Sequence, residues 1–118
     1  MPRVESSGIR WASDSRDIKS IKGSGRLLRG RSVLVWVSQN NCECTGAPTV
    51  GIAAARGFNS AVKRNLAKRR VRGCLMDLRH LLKPGNSYLV QFRPGIEREE
   101  YQILVEEMRA ILLRAFNE

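Results

Sequence analysis

The stretch that decides the fold is TVGIAAARGFNSAVKRNLAKRRVRGCLMDLRHLLKPGNSYLVQF, residues 49–92. Its first residues, 49–55, are β-branched or small and are typical of a strand. A long helix is predicted from about residue 59 to residue 82, before the Pro-Gly pair at 84–85. The apolar run at 88–92 predicts another strand. Residues 49–92 therefore read as a strand-helix-strand unit.

Further elements are predicted on the N-terminal side of this unit. The β-branched run at 33–37 predicts a buried strand, antiparallel to the one at 49–55. Asp14 or Ser15 can cap a short helix that ends near residues 23–25. Residues 26–31 read as a basic connector between that helix and the first strand.

A last helix is predicted over residues 97–116, because apolar residues recur there at helical spacing. The members of this stripe are Tyr101, Leu104, Val105, Met108, Leu112, Ala115 and Phe116. The predicted order is α-β-β-α-β-α, a single-domain α+β sandwich of helices on a small sheet, over residues 14–118. Residues 1–13 are predicted to form a flexible N-terminal arm.

Charge points to a polyanionic partner. The chain has 21 Lys and Arg against 11 Asp and Glu, for a formal net charge of +10. Between Asp17 and Asp77 the only acidic residue is Glu43. Uncompensated positive charge in the middle of a folded chain favours nucleic acid, because neutralising phosphates releases counterions.

Several classes of protein are disfavoured. No apolar segment suits a signal peptide or a membrane span, so we expect a cytoplasmic protein with no membrane partner. Its cysteines should then stay reduced. The spacing of Cys42, Cys44, Cys74 and His80 fits no ordinary zinc motif, so no metal site is predicted. Cys74 is expected to be a small core residue.

The long helix carries the candidate binding residues. Arg64, Lys68 and Arg72 recur every four residues and form one line along it, with Asn65 and Arg69 in a parallel line. The face predicted to meet the sheet holds Ala67, Val71, Cys74, Leu75 and Leu78. Like charges four residues apart cost about 0.2–0.5 kcal/mol per pair, which a phosphate backbone would offset.

The residue types suit RNA. Arginine offers planar, forked donors to phosphate oxygens. Asn65 can both donate and accept, so it can hold a phosphate oxygen, a 2′-hydroxyl or the water shell of Mg²⁺. Gly57 allows close backbone approach just before the helix. The candidate RNA-binding residues are Arg56, Lys63, Arg64, Asn65, Lys68, Arg69 and Arg72.

Residues 61–72, AVKRNLAKRRVR, resemble the "RNR" signature helix of the bacterial ribonuclease P protein component family. They keep its frame of Ala-Val, Arg-Asn, Lys-Arg and Arg. Residues 50–52 resemble the strand before that helix, and residues 17–31 the first helix and its basic turn. The resemblance covers about residues 14–116. It implies the α-β-β-α-β-α fold with an unusual left-handed β-α-β crossover.

The resemblance also implies a function. The signature helix would bind ribonuclease P RNA, and a cleft between the sheet and the first helix would hold the 5′ leader of precursor tRNA. The implied cleft residues are Ile18, Lys22, Arg26, Arg29 and Arg31. Ile18 replaces the usual Phe of the family. The chain would act in an endoribonuclease whose chemistry lies on Mg²⁺ bound mainly by the RNA. No obligate protein partner is expected.

Two alternatives compete with this interpretation. Another basic RNA-binding protein, such as a ribosomal protein, would share the charge and fold class. A nuclease acting alone would need clustered carboxylates for Mg²⁺ or a histidine pair. The basic middle of the chain has only Glu43, and Asp14 and Asp17 are better explained as charges at a helix start. No catalytic residue is therefore assigned to the protein.

Overall fold

The computed structural model describes residues 3–4, 8–12, 15–39 and 47–117. Its α-helices are α1 (Ser15–Ser24), α2 (Ala61–Asp77) and α3 (Tyr101–Asn117). Its strands are β1 (Arg3–Val4), β2 (Arg10–Ala12), β3 (Arg26–Arg29), β4 (Val33–Gln39), β5 (Thr49–Ala54) and β6 (Asn86–Phe92). Short 3-10 turns lie at Arg79–Leu81 and Ile96–Arg98. Asp14, Cys42, Glu43 and Cys44 lie outside the described residues.

The predicted α-β-β-α-β-α order is confirmed as α1-β4-β5-α2-β6-α3. The sheet is larger than predicted, with six strands in the order β1-β2-β5-β6-β4-β3. β4 and β5 run in opposite directions, as predicted, but they do not pair, because β6 lies between them. β6 is buried along most of its length, which suits a strand covered on both faces.

The connection between β5 and β6 matches the one that the resemblance implies. The two strands are parallel neighbours and are joined through α2. Parallel neighbours need a long crossover of this kind, because a tight turn can join only antiparallel strands. The left hand of the crossover stays a prediction.

Two segments predicted to lack regular structure belong to the sheet. β2 pairs in parallel with β5, and Ile9 beside it is fully buried, which corrects the flexible arm at residues 9–12. β3 pairs with β4 and buries Leu28, so residues 26–29 are a strand rather than a connector. Both strands are short and flanked by polar residues, and they form because distant partner strands present open edges.

The larger core lies between the sheet and helices α2 and α3. From α2, Ala67, Val71, Cys74 and Leu75 are fully buried, as their spacing predicted. Burial raises the pKa of the Cys74 thiol to about 11, in keeping with its predicted role as a small core residue.

The described side chains of the predicted apolar stripe of α3 are buried with one exception. Its buried members are Leu104, Val105, Met108, Leu112 and Ala115. Tyr101 is 37% exposed and was wrongly predicted as core. It lies in the first turn of α3, and its hydroxyl donates to the Asp77 carboxylate at 2.7 Å. Tyr101 therefore links α3 to the end of α2 at the surface.

Helix α1 covers the opposite face of the sheet. Ile21 packs there with Trp36 and Leu89 in a smaller, separate core. Trp36 is only 8% exposed, so its role is structural. Helix α1 lies close to β5, because a Cβ on Gly51 would be in ordinary contact with Ile18 Cγ1 at 3.4 Å. Helices on both faces thus give the protein two polar surfaces, which meet at a cavity lined by Ile18 of α1 and Lys68 of α2.

Candidate nucleic-acid interface

Helix α2 presents the predicted ridge of polar side chains to solvent. Its start is set by Ser60, whose side chain accepts from the Lys63 backbone N–H at 3.3 Å. The ridge residues Arg64, Asn65, Lys68 and Arg69 are exposed, and Arg72 is half-buried. From residue 64 to residue 72 the line is about 12 Å long. The buried residues of α2 fix this orientation, because they hold the opposite side of the helix against the sheet.

The loop before α2 is anchored by aromatic packing. The ring of Phe58 meets that of Phe92 edge-on, with centroids 5.4 Å apart and planes at 74°. Gly57 has a φ of 110°, a left-handed conformation that a larger residue would strain. Arg56 and Lys63 flank this loop and are exposed. The structure thus brings both to the same end of the ridge.

Trp11 is a component of this surface that sequence reasoning missed. The Arg72 guanidinium lies over the Trp11 ring, 4.7 Å from its centre, in cation–π geometry. A small cavity of about 150 Å³ opens beside them, with Ile18 and Lys68 also in its lining. A tryptophan within a segment otherwise rich in Gly, Ser and charge was the signal that could have drawn attention to it.

Arg70 interrupts the run of basic residues but does not belong to the ridge. Its Nη2 donates to the carbonyl of Glu99, and its guanidinium lies 6.0 Å from the Tyr101 ring centre. The position of Arg70 in the helical repeat places it between the ridge and the buried face of α2. Arg70, which is not among the predicted interface residues, therefore ties α2 to the start of α3.

The structure separates the five residues implied for the leader cleft. Ile18 and Lys22 lie on α1 above the sheet, with Lys22 Nζ 5.0 Å from the centre of the Trp36 ring. Arg29 shares a strand face with Leu27, which packs on that same small core. These three residues define the α1 cleft.

Arg26 and Arg31 do not join the α1 cleft. Strand alternation turns Arg26 to the other face, where its Nη2 donates to the carbonyl of Ala115 at 2.8 Å. Arg31 lies in the β3–β4 turn and pairs with Glu99 at 2.7 Å. Both cations are held by α3 or the turn before it, which corrects their placement.

Acidic side chains in the C-terminal part of the chain stabilise the fold through hydrogen bonds and an ion pair. Glu107 accepts from the backbone N–H groups of Ser32 and Val33 at 2.7 and 3.3 Å. Burial alone would raise the pKa of Glu99, but hydrogen bonds from Ser32 and Arg31 and the charge of Arg31 hold it below its usual value. Among the described residues, no carboxylate pairs with Arg64, Lys68 or Arg69. The ridge therefore keeps a strong local positive charge.

None of the described helices is long and apolar enough to cross a membrane. Helix α3 buries Leu104, Met108 and Leu112 against the sheet, and its outer side exposes Ile103 and Leu113.

Sequence comparison relates the chain to one family. A family model described as Ribonuclease P matches residues 13–116. The ribonuclease P protein component of Streptococcus pyogenes serotype M5 is 38% identical over 100 residues, covering 82% of this chain and 78% of the relative. That of Carboxydothermus hydrogenoformans is 26% identical over 103 residues, covering 87% and 88%. A match of 37% identity to the Clavibacter michiganensis protein spans 62% of that relative's length.

Solved structures share the fold. The RNase P protein of Staphylococcus aureus superposes with a TM-score of 0.75 at 20% identity, covering 90% of this chain and 94% of the other. That of Thermotoga maritima gives a TM-score of 0.70 at 24% identity, covering 84% and 91%. The arrangement of helices on both faces of the sheet is thus common to these proteins.

Proposed function

Because the chain belongs to the ribonuclease P protein family and is a protein component of that endoribonuclease, we propose that its two surfaces bind two different RNAs. Helix α2 binds ribonuclease P RNA, and the α1 cleft holds the 5′ leader of precursor tRNA. The observation that carries this proposal is the ridge on α2, whose exposed cations have no carboxylate partner among the described residues. The family match favours this function over that of a ribosomal protein.

On the α2 side, the ridge supplies both charge and orientation. Lys68 and Arg64 are exposed on one line and can follow a phosphate backbone. Arg72 packs on the Trp11 ring, so the orientation of its guanidinium group is already fixed in the absence of RNA. Asn65 lies beside this line and adds a group that can accept as well as donate. The ridge would therefore bind structured RNA in a fixed register.

On the α1 side, the leader would be held more by apolar contact and charge than by stacking. The Lys22 ammonium already occupies the face of Trp36, and that ring is almost fully buried. Ile18 offers an apolar edge where an aromatic residue could have stacked on a base. Lys22 and Arg29 are exposed and can meet leader phosphates.

We place the magnesium ions of the reaction mainly on the RNA. In the described part of the chain, no three His, Cys, Asp or Glu side chains come together in a way that could hold a metal ion. The protein would instead reduce the repulsion between catalytic RNA and substrate, which Mg²⁺ must otherwise screen. The catalytic step would then belong to the RNA.

A cleavage assay across Mg²⁺ concentrations tests this proposal. Added to a bacterial ribonuclease P RNA, the protein should lower the Mg²⁺ concentration needed for 5′ maturation, with a larger gain for precursors that carry a long leader. The protein alone should cut nothing. Cleavage by protein free of contaminating nuclease would move the chemistry to the protein. Failure to stimulate any ribonuclease P RNA would refute the proposed division of the two surfaces.

A further inference from the structure

A row of polar side chains crosses the sheet beneath α1. Strand register places Arg10 opposite Thr49, Thr49 opposite Ser87, and Ser87 opposite Ser38. The row thus runs over the adjacent strands β2, β5, β6 and β4. At about 4.8 Å per strand it is about 14 Å long.

This row differs from the next one on the same face. There the register aligns Ala12, Gly51, Leu89 and Trp36, which are small or apolar and lie under α1. Ser38 and Ser87 are only 7% and 6% exposed, and they are the buried polar residues of the described chain. Buried hydroxyls are normally engaged in hydrogen bonds, and both serines have interaction partners within the fold.

Helix α1 closes one side of a cavity over the polar row. Asp17, Ser20 and Ser24 lie on the flank of α1 that faces it, and the cavity holds about 280 Å³. The Ser24 hydroxyl donates to the Ser20 carbonyl at 2.8 Å, so the Ser38 hydroxyl, 3.0 Å away, donates to Ser24. The oxygen of Ser38 then keeps accepting capacity beside the cavity.

A second cavity continues this space. It has a volume of about 410 Å³ and shares Ser24 and Ser38 with the first, but Arg26, Val37 and Ala115 also line it, so it turns toward the other face of the sheet. The first cavity is here called the serine groove, with Arg10 near one end. At 100° per residue, Asp17, Ser20 and Ser24 lie about 140–160° around α1 from Lys22, so the groove and the α1 cleft are on opposite flanks of the helix.

We propose that the serine groove binds the ribose–phosphate backbone of a single RNA strand, with its hydroxyls contacting 2′-hydroxyl groups. The proposal rests on the proposed function and adds a second strand-binding site to it. Side-chain hydroxyls donate and accept, as 2′-hydroxyls do, and that group distinguishes RNA from DNA. Arg10 can pair with a phosphate, whereas Asp17 disfavours a phosphate inside the cavity and accepts from a hydroxyl or base amine.

The test compares RNA with DNA of the same sequence. Fluorescence anisotropy with the full chain should show tighter binding of a labelled single-stranded RNA than of its DNA counterpart. The triple variant Ser38→Ala, Thr49→Val, Ser87→Ala should lose about five- to tenfold in RNA affinity and almost none in DNA affinity. Gln102→Ala, an exposed polar residue on α3, is the matched control and should change neither.

A folding defect has a different signature. It would lower the affinities for RNA and DNA together and would lower the midpoint of thermal unfolding. If the triple variant is folded and its ratio of RNA affinity to DNA affinity is unchanged, the proposal is overturned. Ser20→Ala gives a second measurement, because Ser20 is exposed on α1 and its loss should not disturb the core. It should lower the RNA-to-DNA ratio in the same direction, and an unchanged ratio would likewise count against the groove.

Two further experiments identify which RNA supplies the strand that binds in the serine groove. If it is the leader, a precursor with a 2′-deoxy leader should bind wild type and triple variant equally. If it belongs to ribonuclease P RNA, the triple variant should instead assemble less tightly with that RNA. Arg64→Ala with Lys68→Ala leaves the groove intact and should still weaken binding to ribonuclease P RNA, so that loss separates failure of the groove from failure of the proposed function.

Discussion

Helices α2 and α3 pack together on the same face of the sheet, and each has 17 residues, yet they use their charges in opposite ways. On the α3 side, Glu107 binds the backbone of the β3–β4 turn, and Glu99, just before the helix, pairs with Arg31. On α2, Arg64 and Lys68 point to solvent with no carboxylate partner among the described residues.

The difference shows why net charge alone does not locate a binding surface. Arg26, Arg31 and Arg70 are as basic as the ridge, but each is bonded within the fold. A cation that already has a partner gains little from a phosphate, because one interaction replaces another. The exposed cations of α2 have no such alternative, so they should dominate RNA affinity.

The largest expected effect comes from removing ridge charge. Arg64→Ala with Lys68→Ala should weaken binding to ribonuclease P RNA by about ten- to a hundredfold at moderate salt and lower the salt slope by about two. Arg98→Ala with Arg109→Ala removes the same charge at exposed positions near and on α3, and it should cost much less. Binding curves at several salt concentrations measure both pairs, and equal losses would mean that bulk charge does the binding.

A smaller effect is expected from the ring that orients Arg72. Trp11→Ala removes no charge, so it should weaken RNA binding by about three- to tenfold while leaving the salt slope unchanged. Trp11→Phe keeps an aromatic face and should recover part of the loss. Thermal unfolding of both variants checks that β2 remains paired. Wild-type affinity in a folded Trp11→Ala protein would show that the stack does not serve RNA binding.

The smallest effect on RNA binding is expected from substituting Glu99 on the α3 side. That substitution should lower the stability of the fold rather than the affinity for RNA. The pKa of Glu99 is held below its ordinary 4.5, so its contribution is present above that pH and is lost as pH falls through the lower native value. Glu99→Gln should lower the free energy of unfolding at neutral pH by about 1 kcal/mol. Urea unfolding across pH should show this difference fading in acid, with RNA affinity unchanged at neutral pH.

The amino-acid sequence by itself determined the helix that carries the ridge. The spacing that buries Ala67 and Val71 also exposes Arg64 and Lys68, and all four were predicted correctly. This succeeded because a helix repeats every 3.6 residues, so a short window contains both its buried and its exposed side. The charge excess and the signature frame are likewise local, and they were enough to indicate RNA.

Only the tertiary structure decided which distant residues share a surface. It placed Trp11 under Arg72, inserted β6 between β4 and β5, and aligned Arg10 with Ser38 across the sheet. It also turned Arg26 away from the α1 cleft. Strand order and register bring together residues that are far apart in the chain. Shifting the pairing of a strand by one residue would move each of its side chains to the opposite face of the sheet. No local sequence pattern could therefore have specified these neighbours.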